Sequence, residues 1–267
     1  TPIPRTLALI LYGDLDISII DSLPPGRQSI DTFAVNSSYR ERIYNFAKKE
    51  IEKGRQVYII CAMVEENEKI EAESVLKYAE GLRNTPLGDR RIAVVHGKMR
   101  SEEKDGILKD FAAGKTDILV ATTVIEVGIN VPNATLMVIE NAERFGLAQL
   151  HQLRGRVGRG SEKSYCILIS DNKSEITRQR LKTMTKTSDG FKISETDLKL
   201  RGPGEFFGTR QHGLPALRIA NLYSDILRQA QRAAGEVTEN DPGLEREENR
   251  DLRTELDRLF LSDNIGI

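Results

Sequence analysis

Short apolar runs alternate along the chain with longer segments in which apolar residues recur every three or four positions. Six runs have the length of strands, and most of them are continuously apolar: residues 31–36, 56–61, 91–97, 117–122, 134–141 and 164–170. Continuous runs of this kind are typical of strands that are buried on both faces of a parallel sheet.

The segments between these runs fit amphipathic helices, at residues 37–54, 70–82 and 101–114 and between the last two strands. In the first of them Ile43, Ala47 and Ile51 form an apolar stripe, and Gly54 stands where a helix commonly ends. Strands that alternate with helices predict an α/β fold, an open and mostly parallel sheet with helices on both faces.

The pattern changes after residue 170, and the charge changes with it. Residues 173–218 hold ten Lys or Arg against five Asp or Glu, whereas residues 236–258 hold nine acidic against four basic residues. We therefore predict three parts: a lead-in at 1–26, the sheet domain at 27–172, and a helical and loop extension at 173–267.

Composition narrows the possible functions. The 267 residues carry a formal net charge of −1, so a nucleic-acid surface would have to be a local basic patch. We find no apolar run of about 18 residues, the length that a membrane span needs. Two cysteines give no disulfide framework, which favours a reducing, cytoplasmic setting.

The stretch QLRGRVGRG, residues 152–160, concentrates arginine and glycine. Arg156 and Arg159 are three positions apart, a spacing that on a helix directs both side chains to the same side. Glycines inside a helix cost about 1 kcal/mol each, so a merely solvated basic face gives no reason for them. Paired planar cations with room for close approach suit a phosphoryl group.

The same stretch resembles motif VI of superfamily 2 helicases. VATTVIEVGINVP (120–132) resembles motif V, HGKM (96–99) the loop before it, and TPIPRT (1–6) motif III entered partway. Together they resemble the second RecA-like domain of a helicase motor. The run IENAERFGLAQLHQLRGRVGRG and the segment DLKLRGPGEFFGTRQHG (197–213) are similar to the RecG family of ATP-dependent branched-DNA helicases, with the transcription-repair coupling factor Mfd as near neighbour.

The resemblance implies an ATP site shared between two domains. Arg156 and Arg159 match arginine fingers that reach the γ-phosphate, and Gln152 matches the polar residue of that motif. Gly128 and Asn130 match positions near the ATP sugar. The family usually has Asp where Asn130 stands, and Asn keeps a hydrogen-bond acceptor but loses the charge.

The partner half of that site is absent from this sequence. It contains neither a G-x-x-x-x-G-K-[ST] phosphate loop nor an Asp-Glu box for Mg²⁺. The abrupt start at Thr1 is expected of an excised part of a longer protein. We therefore predict that ATP and Mg²⁺ are bound mainly by the first motor domain, with no metal ligands in this chain.

The resemblance also implies contacts with DNA, which the basic balance of residues 173–218 favours independently. Backbone contacts are expected from motif V hydroxyls, from a turn after the third strand and from the translocation segment: Thr122, Thr123, His96, Gly97, Arg201, Arg210 and Gln211. Ligands of open α/β sheets bind beyond the carboxyl ends of the strands. We expect His96, Thr122 and the arginine cluster to share that edge.

These features predict the second motor domain of a monomeric DNA helicase, whose partners are branched or duplex DNA and the first RecA-like domain of the same polypeptide. One alternative is a nucleic-acid-binding module that uses no ATP, and Arg156 and Arg159 argue against it. Another is a nucleotide-using metabolic enzyme, for which the G-x-G-x-x-G fingerprint is missing.

Overall fold

The computed structural model describes residues 29–62, 68–122, 131–201 and 225–262. Six strands form one sheet in the order β1-β6-β5-β2-β4-β3, and every neighbouring pair is parallel. Their bounds are β1 Ile30–Val35, β2 Gln56–Cys61, β3 Ile92–Val95, β4 Ile118–Ala121, β5 Ala134–Glu140 and β6 Ser164–Ile169. The predicted parallel α/β sheet is confirmed.

Eight α-helices lie within the described ranges. Their bounds are α1 Arg40–Glu52, α2 Glu68–Leu82, α3 Ser101–Ala112, α4 Leu147–Arg154, α5 Glu175–Lys186, α6 Gly190–Arg201, α7 Asp225–Asn240 and α8 Arg250–Ser262. Gly54 follows α1 with a φ of +80°, as its predicted place at a helix end requires. In this part of the chain, no helix is both long and apolar enough to cross a bilayer.

The core has two layers, one on each face of the sheet. On one face, α1 and α2 pack against β2, β4, β5 and β6 through residues such as Ala47, Val75 and Leu82. On the other face, α3, α4, α5 and α6 bury Phe111, Leu150 and Met184 against the same strands. The central strands are therefore covered on both sides, which explains their continuous apolar sequences.

The described residues divide into two compact units, of which the first holds the sheet and α1–α6 and the second holds α7 and α8. In the first unit, α5 contacts β1 and α6 contacts α4. The compact unit that holds the sheet extends beyond residue 172, since it also includes α5 and α6. The domain boundary predicted after that residue stays a prediction.

The second unit is organised by one buried carboxylate in the turn between its helices. Asp241 accepts hydrogen bonds from the backbone N–H of Glu245 (2.9 Å) and Arg246 (3.0 Å) and from the side-chain amide of Asn249 (2.8 Å). The Asn249 bond and these backbone bonds lower the pKa of Asp241. The carboxylate fixes the turn that joins α7 to α8.

Candidate functional site

The sequence had led us to expect that the arginine-rich stretch continues α4. In the structure it does not. The helix ends at Arg154, Gly155 is its C-cap, and Gly158 has a φ of +72°. Since a positive φ is costly for other residues, Gly158 allows the chain to turn in the loop after the helix. The prediction that Arg156 and Arg159 share a helical face was therefore wrong, because they lie in the loop after α4.

In this loop the charges of both arginines act on Tyr58, the third residue of β2. Burial raises the pKa of the Tyr58 hydroxyl to about 12, and the positive charges of Arg156 and Arg159 oppose that rise. Arg156 is half-buried, whereas Arg159 is exposed and donates from Nε to the Gly155 carbonyl oxygen at 3.0 Å. Both arginines thus interact electrostatically with the same side chain of β2.

The third arginine of the stretch has a different role. Arg154 is only 3% exposed. Its Nη1 donates to the carbonyl oxygens of Met184 (2.7 Å) and Thr187 (3.0 Å), and its Nη2 lies 3.1 Å from Nδ1 of His151. Arg154 ties the end of α5 to α4, a structural contact that spacing in the sequence does not reveal.

The loop after α4 ends at the amino edge of the sheet. A Cβ at Gly160 would lie 2.6 Å from the carbonyl oxygen of Pro132, two residues before β5. Arg55, which precedes β2, contacts Glu162 at 3.0 Å and Asn133 at 3.2 Å. Close packing and an ion pair therefore fix the exit of the loop against the starts of β2 and β5.

The carboxyl edge carries the turn predicted to face DNA. His96 and Gly97 follow β3, where the Met99 N–H donates to the His96 carbonyl at 3.2 Å and Lys104 Nζ to the Gly97 carbonyl at 2.8 Å. Thr122 follows β4, and its N–H donates to the Val95 carbonyl at 3.2 Å. The structure therefore brings His96, Gly97 and Thr122 together.

The expectation that all these residues share one edge was wrong. The seven residues of β5 span about 20 Å at roughly 3.3 Å per residue, and this length separates the two edges. The reason is topological. A helix that connects parallel strands returns from the carboxyl edge to the amino edge, so the residues after α4 lie opposite those before it.

A polar cluster occupies the carboxyl edge beside Thr122. Glu140, at the end of β5, accepts hydrogen bonds from Arg40 Nε (3.1 Å), Arg40 Nη2 (2.7 Å) and the Tyr78 hydroxyl (2.9 Å). The Tyr78 hydroxyl also lies 3.1 Å from that of Tyr44. Burial is the main cause that raises the pKa of Tyr78, and the Glu140 charge adds to it. The hydroxyl therefore stays protonated and remains a donor.

This cluster borders a cavity of 130 Å³, which Thr122 and Cys61 also line. Thr122 is 1% exposed, and within the described ranges its hydroxyl has no hydrogen-bond partner. Nδ1 of His96 is likewise buried with no hydrogen-bond partner among the described residues. Buried polar atoms left unpaired are costly, and they cluster where function requires them.

Several residues predicted for the site lie outside the described part of the chain: Thr123, Gly128, Asn130, Arg210 and Gln211, together with the lead-in at 1–26. Arg201 is the last residue of α6, and its side chain also lies outside the description. Gln152 is half-buried in the last turn of α4. Sequence reasoning missed Glu140 and Arg40, for which the only signal was a carboxylate that ends an apolar run.

Comparison with known proteins places these features in a family. Residues 39–161 match the helicase conserved C-terminal domain, and residues 187–262 match the C-terminal part of domain 3 of the ATP-dependent DNA helicase RecG. Together the two matches cover most of the chain.

Curated relatives agree with these matches. The ATP-dependent DNA helicase RecG of Bacillus subtilis is 46% identical over 96% of this chain and 38% of its own length. The protein of the same name from Synechocystis is 52% identical over 92% of this chain and 30% of its own length. The chain thus spans about a third of the length of these relatives.

A solved structure of RecG bound to a three-way DNA junction is also similar. It is 45% identical, with a TM-score of 0.69 over 86% of this chain and 30% of that one. Family models, relatives and this structure agree with the RecA-like sheet and with the motifs along it. The chain therefore belongs to the RecG family of ATP-dependent DNA helicases and corresponds to its C-terminal helicase region.

Proposed function

We propose that this chain is the second motor domain of an ATP-dependent DNA helicase that remodels branched DNA, such as stalled forks and Holliday junctions, in recombination and repair. The relatives are named ATP-dependent DNA helicases, and a similar structure is described as bound to a three-way junction. The observation that carries the proposal is the division of chemistry between the two edges of the sheet.

The amino edge supplies the groups for phosphoryl transfer. The charges of Arg156 and Arg159 both act on Tyr58, and Gln152 lies just before them in the last turn of α4. Guanidinium groups are planar and permanently charged, so they suit the charge that spreads over the transferred phosphoryl oxygens. We assign ATP and Mg²⁺ mainly to the first RecA-like domain of the same polypeptide, because this sequence lacks a phosphate loop.

The carboxyl edge supplies contacts to the DNA backbone. The His96–Gly97 turn is held by Lys104, and Thr122 lies beside it with its hydroxyl available for a partner outside the described residues. Thr123 is assigned to the same contact from its motif. Arg201, Arg210 and Gln211 are assigned to the translocation segment on sequence grounds, and they would move with duplex DNA as the motor closes.

The segment that links the two edges gives a route for coupling. Thr122 follows β4 at the carboxyl edge, and Val131, which is 2% exposed, lies before β5 at the amino edge. The connection includes Gly128 and Asn130, the proposed neighbours of the ATP sugar. Closure of the two motor domains over ATP would therefore change the positions of residues at both edges. Bound DNA would favour the closed form. We place the protein in the cytoplasm as a monomer.

A direct test compares the chain by itself with the full-length protein. The isolated chain, shown to be folded by circular dichroism, should hydrolyse no ATP, since its sequence contains no phosphate loop to hold the triphosphate. The full-length protein should hydrolyse ATP when a three-way junction is added, and it should unwind that junction. Turnover by the isolated chain, or a full-length protein indifferent to DNA, would contradict the proposal.

A further inference from the structure

A groove of 580 Å³ lies at the carboxyl ends of β1 and β6, on the side covered by α5. Three of the residues along it are cations and none is Asp or Glu. The lining includes Asn36, Tyr39, Asn172, Lys173, Arg178 and Lys182. A groove lined by positive charge alone favours an anionic occupant.

Helix α5 carries two of these cations, and the third, Lys173, lies just before it. Arg178 and Lys182 are four residues apart and both are exposed, beside the buried side chains of Thr177 and Leu181. Arg178 lies 3.4 Å from Glu175, and the two side chains are 68% and 64% exposed. A pair this exposed is worth little, so Arg178 can exchange it for a phosphate.

Neutral donors lie between the cations and the sheet. The side-chain oxygen of Asn36 accepts from the Ser38 N–H at 3.1 Å, and that of Asn172 accepts from the Ser174 N–H at 2.8 Å. Because the oxygens are used in these turns, both amides present their NH₂ groups as donors. The start of α5 adds the partial positive charge of a helix N-terminus.

One aromatic side chain and one carboxylate lie close to the groove. Tyr39 is 44% exposed at the rim, where a base can stack on it. Asp171 lies next to the lining residues in sequence, and its carboxylate accepts the Ser37 N–H at 2.9 Å. Its bonds with Ser37 are the main cause that lowers its pKa, and the positive charges of Arg40 and of the groove residue Lys173 add to it.

We propose that this groove binds the phosphodiester backbone of a DNA strand, as a contact additional to His96 and Thr122. The inference rests on the proposed function. β1 and β4 are four positions apart in the sheet, about 19 Å at roughly 4.8 Å per strand. That distance corresponds to about five or six phosphates of one strand at 3.4 Å per phosphate along the duplex axis, so a short bound duplex is long enough to reach both contacts.

The test measures how the affinity for DNA depends on salt. Binding of a fluorescent three-way junction to the full-length protein is titrated at several salt concentrations. A groove variant (Lys173→Gln, Arg178→Gln and Lys182→Gln) is compared with a control that removes three exposed cations from other helices (Lys49→Gln, Lys77→Gln and Lys109→Gln). Each lost phosphate contact lowers the slope of log K against log salt by about 0.7–0.9.

We expect the groove variant to lose about 2–3 from that slope and at least tenfold in affinity at low salt, while the control keeps the wild-type slope. Tyr39→Ala should weaken binding of a junction with a single-stranded arm, and Tyr39→Phe should not. Equal losses in both triple variants, or an unchanged slope in the groove variant, would overturn the groove assignment alone. A wild-type protein that binds no DNA would overturn the proposed function as well.

Discussion

The two edges of the sheet hold their charged groups in opposite ways. At the carboxyl edge, Glu140 is 2% exposed and its partner Arg40 is 40% exposed, so a buried carboxylate is satisfied from within the domain. At the amino edge, Arg55 and Glu162 are 28% and 49% exposed, and the arginine loop beside them includes the exposed Arg159. The Glu140 carboxylate is therefore closed off from solvent, whereas the charged groups of the amino edge are open to it.

This difference follows from what each edge is proposed to do. A buried ion pair is rigid and costly to rearrange, which suits the fixed base of a contact surface. Exposed guanidinium groups can exchange partners at little cost, which suits a loop that meets ATP only when two domains close.

The largest effect is expected at Arg156. In the full-length protein, Arg156→Ala should lower DNA-stimulated ATP turnover by roughly 10³-fold or more, because an arginine finger stabilises charge that develops in the transition state. Arg156→Lys should restore little, since a point charge cannot reproduce the planar fork. Turnover and nucleotide affinity are measured with saturating junction DNA.

Arg83→Ala is the matched control, because Arg83 is an exposed arginine in the turn after α2. It should leave turnover unchanged. The affinity of Arg156→Ala for DNA should also stay within about twofold of wild type, since the proposed DNA contacts lie at the opposite edge. Near-normal turnover in Arg156→Ala would reject the finger assignment, and a parallel loss of DNA binding would break the division between the edges.

A smaller effect, on stability, is expected at the carboxyl edge. Arg40→Leu leaves the buried Glu140 carboxylate with Tyr78 as its remaining donor among the described contacts. An uncompensated buried charge should lower the free energy of unfolding by about 2–3 kcal/mol. Glu140→Gln leaves the half-exposed Arg40 near water and should cost less. Denaturant titration of the isolated chain measures both.

The double variant Arg40→Leu with Glu140→Leu separates the charge from the packing. It should recover much of the stability lost in Arg40→Leu, because an apolar pair carries no desolvation cost. If Arg40→Leu were as stable as wild type, the carboxylate would not depend on its partner. The contrast between a closed and an open edge would then have no energetic basis.

The strands were predictable because a strand that is buried on both faces needs apolar residues at successive positions. β5 was expected at 134–141 and is found at Ala134–Glu140. Short β3 was expected at 91–97 and is found at Ile92–Val95, since its flanking residues leave the sheet. Parallel order and two helical layers followed from the alternation of strands with helices.

The geometry of the site was less predictable, because it depends on where a helix ends and on contacts between distant residues. Gly155 was the available signal for the end of α4, but the i, i+3 spacing of Arg156 and Arg159 favoured a continued helix. The tie from Arg154 to Met184 and the Arg40–Glu140 pair join residues 30 and 100 positions apart. No local pattern in a single sequence encodes such pairs.

The smallest effect is expected where the arginine loop rejoins the sheet. Glu162 lies 3.0 Å from Arg55, which also contacts Asn133 beside Pro132 and Gly160. The pair is exposed and should contribute at most about 1 kcal/mol to stability. Its proposed role is to hold the loop in register, so Arg55→Ala should lower kcat roughly 3–10-fold with little change in the KM for ATP.

The charge-swapped double variant, Arg55→Glu with Glu162→Arg, should recover most of the kcat, because it restores an ion pair between the same two positions. Arg91→Ala is the matched control, since Arg91 pairs with Asp117 at 2.5 Å on the same edge but beside β3 and β4, away from the loop. If Arg91→Ala lowered kcat as much as Arg55→Ala, the effect would belong to the edge as a whole. The double variant could also fail to recover kcat while both single variants keep their melting temperature. In that case the shape of the Arg55 side chain, and not its charge, would hold the loop in register.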